Sequence, residues 1–223
     1  MPLSRVLEPE VMDSPEEASA YDAMDHGGVN AAFCTDLLAQ SPPPDTARVL
    51  DVGTGTALIP IELCRRHPGA RVVGIDLAPS MLEVGRRNVE RAALSGVVSL
   101  GLADAKALAA PDGAFTCVIS NSIIHHIPDP LPVLRGALRV LAPGGWLFVR
   151  DLLRPADEAA VRALVATHAA HDTPSQRALF DASLRAALDL VEVRRLAADA
   201  GMAGASIEAT SDRHWTLAYR KVA

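Results

Sequence analysis

Short apolar runs alternate with segments whose apolar residues recur every three or four positions. Arg48-Val49-Leu50-Asp51 predicts a short buried strand, and Thr56 to His67 a helix stopped by Pro68-Gly69. Arg71 to Asp76 predicts a second strand, and Pro79 to Leu94 a helix ended by Ser95-Gly96. Val97 to Leu102 and Phe115 to Ser120 predict the third and fourth strands. Pro130 to Leu141 predicts a helix stopped by Pro143-Gly144-Gly145, and Trp146 to Val149 a fifth strand. Such alternation implies parallel strands with right-handed helical crossovers, an α/β architecture with helices on both faces of the sheet.

The flanks differ. Residues 1–13 read as a loose arm. Ser14-Pro15-Glu16-Glu17 opens a helix, with Ser14 as cap, Pro15 in the first turn and Glu17 completing a capping box. Gly27-Gly28 divides the helical stretch that follows, and Ser41-Pro42-Pro43-Pro44-Asp45 is a stiff linker. Residues 156–188 form two Ala-rich helical stretches separated by Thr173-Pro174-Ser175. A further helix capped at Asp189 with Glu192 ends at Gly201, and Ala205 to Thr210 and Trp215 to Arg220 are two final strands. The expected organisation is one domain over residues 1–223, with lid helices at 14–40, a ligand-binding core at 45–152, inserted helices at 156–188 and a last helix with a strand pair at 189–223.

Composition is globular: of 223 residues, 49% are hydrophobic and 22% charged, so disorder is not expected. The net charge of -6 and the lack of any Lys/Arg run argue against a nucleic-acid partner. Cys34, Cys64 and Cys117 are scattered, which suits a reducing cytoplasm and gives neither a disulfide framework nor a zinc pattern. No stretch is long and apolar enough to span a membrane, and no secretory signal opens the chain. His168, His171 and His214 have no firm metal-ligand spacing, so no metal is expected.

Gly53-Thr54-Gly55-Thr56-Ala57 follows the first strand and opens a helix, the edge at which open parallel sheets bind ligands. Two glycines let the backbone turn sharply and approach a ligand closely. A dinucleotide site wants a small residue where this chain has Leu58, and Asp51 would set a negative charge near a pyrophosphate. A sulfonium cofactor, carrying a cation and an ammonium group, is favoured by an acidic strand end. Asp76 ends the second strand, where an acid can accept hydrogen bonds from two ribose hydroxyls. Asp104 follows the third strand. Asn121 opens the loop after the fourth, which carries His125 and His126.

Asp51-x-Gly53-x-Gly55-x-Ala57 resembles motif I of the class I S-adenosylmethionine-dependent methyltransferases, with Ala57 in place of the usual third glycine. The resemblance covers about residues 45–152, and the order of elements extends it to the C-terminus. It implies a Rossmann-like seven-stranded sheet with the last strand antiparallel, S-adenosylmethionine as cofactor and S-adenosylhomocysteine as product. It also implies cofactor contacts from Asp51, Gly53, Thr54, Gly55, Asp76, Leu77, Met81, Asp104, Ala105 and Asn121, with Tyr21 as a lid contact. The Asn-Pro-Pro-Tyr form found in many enzymes that methylate nucleobase amines or glutamine is absent after the fourth strand.

A neutral imidazole can take a proton from an acceptor near pH 7. His126 and His125 are therefore the catalytic candidates, His126 preferred as the residue facing the cofactor. Local packing is the alternative role for either ring. The expected activity is methyl transfer to an O, N, S or C atom of a small molecule. A tRNA or protein methyltransferase of the same fold, and a non-catalytic cofactor-binding protein, are the rivals. Assembly as a homodimer is left open.

Overall fold

The structure, a computed structural model, describes residues 3–9, 13–24 and 27–222. Seven strands form one sheet in the order β3-β2-β1-β4-β5-β7-β6. The strands are β1 Arg48–Val52, β2 Arg71–Asp76, β3 Val98–Leu102, β4 Phe115–Asn121, β5 Leu141–Leu152, β6 Ser206–Ala209 and β7 His214–Arg220. The first five pair in parallel, while β7 runs antiparallel to both β5 and β6. The helices are α1 Pro15–Asp22, α2 Gly27–Gln40, α3 Leu58–Arg66, α4 Pro79–Arg91, α5 Leu131–Val140, α6 Glu158–His168, α7 Pro174–Ala186 and α8 Leu190–Asp199.

Successive side chains of a strand point to opposite faces, and both faces of this sheet are covered. Val49, Cys117, Ile119 and Phe148 pack with Phe33 and Leu37 of α2 and Ile61 and Leu63 of α3. Their sequence neighbours Leu50, Val118, Leu147 and Val149 pack on the other face with Val133, Leu134 and Ala137 of α5 and Val193 and Ala197 of α8. The central strands therefore read as continuous apolar runs. The strand order reverses between β1 and β4, which places a crevice at their C-terminal ends.

Three helix starts follow local chemistry closely. Ser14, Thr173 and Asp189 each cap a helix in a complete capping box with Glu17, Gln176 and Glu192. Three expectations need correction. The first crossover helix begins at Leu58 and not Thr56, because Ala57 holds a left-handed φ of 64°. Helix α4 stops at Arg91 and not Leu94, with Ala93 left-handed at φ 57°. Pro143-Gly144-Gly145 does not stop α5, which has already ended at Val140. It forms an irregularity inside a longer β5, between the pairs Phe115–Leu141 and Cys117–Trp146. The amide of Gly144 donates to Lys221 O and that of Lys221 to Gly145 O, both at 2.9 Å, so the segment stays tied to the chain beyond β7.

The arm also differs from the loose segment expected, as far as it is described; residues 1, 2 and 10–12 lie outside the described residues. Leu3 N donates to Ala156 O and Val6 N to Arg185 O. The Arg5 guanidinium donates to the carbonyls of Ala186, His125, Ile127 and Pro128. Backbone donors and acceptors at several points thus fix residues 3–9 on the body of the fold.

The rings of Phe33 and Phe148 meet edge to face at 5.2 Å, joining α2 to the sheet. Phe148→Ala should cost about 3–5 kcal/mol in urea unfolding. A double-mutant cycle with Phe33→Ala should return a coupling of about 0.5–1.5 kcal/mol. Additive losses would show that the two rings do not interact.

Candidate cofactor and active site

Strand β1 must become α3 within five residues, so the backbone takes left-handed φ values at Gly53 (77°), Gly55 (52°) and Ala57 (64°). A Cβ at Gly53 would lie 2.1 Å from Ile123 Cγ2, so glycine is required there by space as well as by φ. The amides of Gly53 and Thr54 both donate to Ile75 O at 2.9 Å. Gly55 N donates to Asp76 Oδ2 at 2.8 Å, and Ala78 N to Asp76 Oδ1 at 3.0 Å. Each carboxylate oxygen of Asp76 keeps a further lone pair for a ligand.

A cleft of about 890 Å³, open solvent at its mouth included, lies over these strand ends. Gly53, Gly55 and Asp76 form one side, and Leu77 and Met81 continue it. Asp104 and Ala105 line the far side with Lys106, and Tyr21 of α1 lies over the glycine turn. Asp104 Oδ1 accepts from Lys106 N at 2.9 Å, the first cause of its lowered pKa. Tyr21 packs with Ala78 and Met81. Burial, then the charges of Asp76, Asp51 and Asp22, push its phenol up to about 12. Asn88 Nδ2 donates to Asp22 Oδ1 and Thr56 O, tying α4 to α1 and to the glycine turn.

Asn121 and His126 line the reacting side, with Ser122, Ile123 and Ile127. Ser122 is left-handed at φ 59°, and His125 and His126 sit in a 3-10 turn, Ile124–His126. The two rings diverge in role. His126 faces the cleft, while His125 is buried, 4% exposed, and does not line it. His125 Nδ1 meets Asp151 Oδ1 at 2.5 Å, and Asp151 also accepts from the amides of Ile124 and Leu152. Burial would push the Asp151 carboxyl up; the His125 ring and those amides outweigh it, and the net direction is down. Glu8 of the arm lies 3.0 Å from His126 Nδ1 and 3.5 Å from His125 Nε2. Burial would lower the His126 pKa, but Glu8 and then Asp151 outweigh it and raise it.

Two expected contacts lie below the cleft wall. Asp51 and Thr54 are buried beneath the cleft and do not line it, because the turn folds its amides down onto Ile75. Asp51 Oδ2 has no hydrogen-bond partner, and burial, with the Asp76 charge adding to it, pushes the carboxyl up to about 7. The other expected cofactor contacts and His126 come together around one cleft, and His125 does not. Sequence reasoning missed Glu8 and Asp151. Asp151 could have been suspected as an acid ending a strand beside the cleft; Glu8 stood in a segment with no periodic signal.

A cationic cofactor fits this donor set. Asp76 and Asp104 rim the cleft, and Asn121 Oδ1 is a buried acceptor with no donor partner among the described residues. An ammonium group would supply one. A pyrophosphate would meet like charge.

Fold and cleft together define a Rossmann-like, ligand-binding α/β protein. The family model described as a methyltransferase domain matches residues 50–149. The chain is 42% identical over 120 residues to the demethylmenaquinone methyltransferase of Thermus thermophilus, a match covering 54% of this chain and 52% of that protein. It is 38% identical over 109 residues to the ubiquinone biosynthesis O-methyltransferase of Xanthomonas campestris, covering 48% and 44%. The chain thus spans about half the length of the curated relatives it matches. A crystal structure of a SAM-dependent methyltransferase from Aquifex aeolicus superposes with a TM-score of 0.69 at 17% identity, covering 95% of this chain and all of that one. Phosphoethanolamine N-methyltransferase 2 of Haemonchus contortus gives 0.72 at 18% identity, covering 94% and 58%. At those identities the likeness is one of fold.

The raised pKa of Asp51 has a consequence for stability. Between about pH 4 and 7 the folded chain holds a proton that the unfolded chain releases, so this group's contribution falls as pH rises through that window. Asp51→Asn should flatten the fall, unfolding at higher denaturant than the parent at pH 8 and about equally at pH 4. Parallel pH profiles would place the Asp51 pKa in the ordinary range.

Proposed function

We propose that this chain binds S-adenosylmethionine in the cleft at the ends of β1 to β4 and directs its methyl group to a small-molecule acceptor. The carrying observation is the acid-rimmed cleft over the Gly53–Ala57 turn, with the unpaired Asn121 oxygen at its reacting side. Asp76 holds the ribose hydroxyls, with Leu77 and Met81 against the adenine and Asp104 and Ala105 at its amino edge. Gly53, Gly55 and Asn121 contact the amino-acid end, beneath which Asp51 lies with one oxygen unpartnered. Tyr21 covers that end as a lid.

The cofactor supplies an electrophilic methyl carbon. The protein supplies alignment, worth roughly 7–11 kcal/mol in well-placed systems. His126 accepts the proton of an acceptor O–H or N–H. His125, turned inward onto Asp151, positions the loop. Helix α7 packs on the 3-10 turn, and its Ser183 Oγ donates to Glu8 Oε2 at 3.2 Å. These contacts support residues 156–188 and the arm as the roof of the acceptor side of a single domain.

A small acceptor is supported by the names of the relatives and by the absence of any basic run in a chain of net charge -6. Among the described residues no helix is long and apolar enough to cross a membrane. All three cysteines are free and buried, which suits a reducing cytoplasm.

Asp76→Ala should weaken S-adenosylmethionine binding by about 1.5–3 kcal/mol in calorimetry and leave the fold intact. Unchanged affinity would misplace the ribose. At saturating cofactor, His126→Ala should lower kcat about 10²–10⁴-fold. His125→Ala should act mainly on stability, by leaving Asp151 buried without its partner. Equal small losses of turnover in both variants would remove proton acceptance from the reading. The acceptor itself is found by screening acceptor classes with labelled methyl donor and identifying the methylated atom.

A further inference from the structure

We propose that Glu8, His125 and His126 form a binding site for one divalent transition ion of the zinc class, clipping the N-terminal arm to the loop after β4. This goes beyond the methyl-transfer reading and does not rest on it.

The three side chains offer one donor atom each, all within 4.8 Å of one another. Glu8 Oε1 lies 3.0 Å from His126 Nδ1 and 3.5 Å from His125 Nε2. An ion about 2.1 Å from each of three donors sets them about 3.0–3.4 Å apart, so the Glu8–His126 separation matches and the Glu8–His125 separation lies just outside. Glu8 Oε1 and His126 Nδ1 are both buried and face each other as an ion pair. The Glu8 side chain is only 9% exposed, so the donor atoms are held together out of bulk solvent.

The surroundings have the form of a second coordination shell. His125 Nδ1 faces Asp151 at 2.5 Å, which fixes the tautomer and leaves Nε2 bare toward Glu8. A carboxylate on the far nitrogen is the usual support of a metal-bound imidazole. Ser183 Oγ donates to the other Glu8 oxygen. Glu8 and Asp151 set negative charge on either side of the two rings. Two imidazoles and one carboxylate suit zinc-class ions and not magnesium or calcium. Three protein ligands leave a fourth position for water. Binding occupies His126 Nδ1, so a loaded protein cannot take a proton at that nitrogen; loading and base catalysis are therefore measured separately.

The test uses the full chain after treatment with a chelator, titrated with Co2+ as a spectroscopic probe and then with Zn2+. One equivalent of Co2+ should bind with the visible absorption of a low-coordinate, nitrogen-ligated ion, and Zn2+ should displace it. Glu8→Gln should weaken binding by at least about tenfold to a hundredfold, while its circular dichroism matches the parent. Zn2+ should slow amide exchange of residues 3–9 in the parent and not in Glu8→Gln. His168→Ala, which alters the separate surface cluster of His168 with Asp212 and Arg213, should bind as the parent does. Absence of stoichiometric Co2+ binding to the parent would overturn the proposal. So would binding lost in His168→Ala and kept in Glu8→Gln.

Discussion

The turn from β1 into α3 constrains everything around the cleft. A buried parallel strand has to reverse into a helix in five residues without leaving its amides unsatisfied. It does so by left-handed φ at Gly53, Gly55 and Ala57, with the amides of Gly53 and Thr54 both bonded to Ile75 O. The turn is wedged between the end of β2 and Ile123, which leaves no room for a Cβ at Gly53. Asp76 takes its orientation from the turn through Gly55 N, and Asn88 reads Thr56 O while holding Asp22 of α1. The acidic rim, α4 and the Tyr21 lid are thus all referenced to one stretch of backbone. Ala57, where the family's motif has glycine, carries the steric cost of a left-handed residue with the smallest side chain that has a Cβ.

The reacting end rests on a different constraint, the pairing of buried charge. Asp151 at the end of β5 and Glu8 on the arm enclose two adjacent imidazoles, and the arm is held by backbone bonds to residues near α6 and α7. Removing one partner of a buried pair typically costs about 3–5 kcal/mol, because the other charge stays buried. Arm, loop and β5 exit therefore stand or fall together. The same enclosure separates the two histidines: one turns inward to a carboxylate, the other remains at the cleft wall.

Much of this was legible along the chain. The strand and helix sequence follows from runs of apolar residues, and the starts at Ser14, Thr173 and Asp189 follow from side chains bonding amides three residues away. The cleft residues Gly53, Gly55, Asp76, Asp104 and Asn121 could be placed because each ends or directly follows a strand of one parallel sheet. Errors arose where a local signal met a tertiary contact. Pro143-Gly144-Gly145 reads as a helix stop, yet pairing beyond β7 keeps it in the sheet. The arm reads as loose, yet backbone and Arg5 contacts tie residues 3–9 to the fold.

The sequence by itself determined the α/β order of elements, the helix caps, the glycine turn and the acids at the strand ends, because these depend on interactions spanning a few residues. Only the tertiary structure decided which histidine faces the cleft, that Asp51 lies beneath it, and that Glu8 joins the reacting end. Arg5, three residues before Glu8, bonds the carbonyl of His125 across 120 positions of sequence. No periodicity encodes such a meeting: it exists only after the sheet, α7 and the β4 loop have packed and brought those carbonyls to one place.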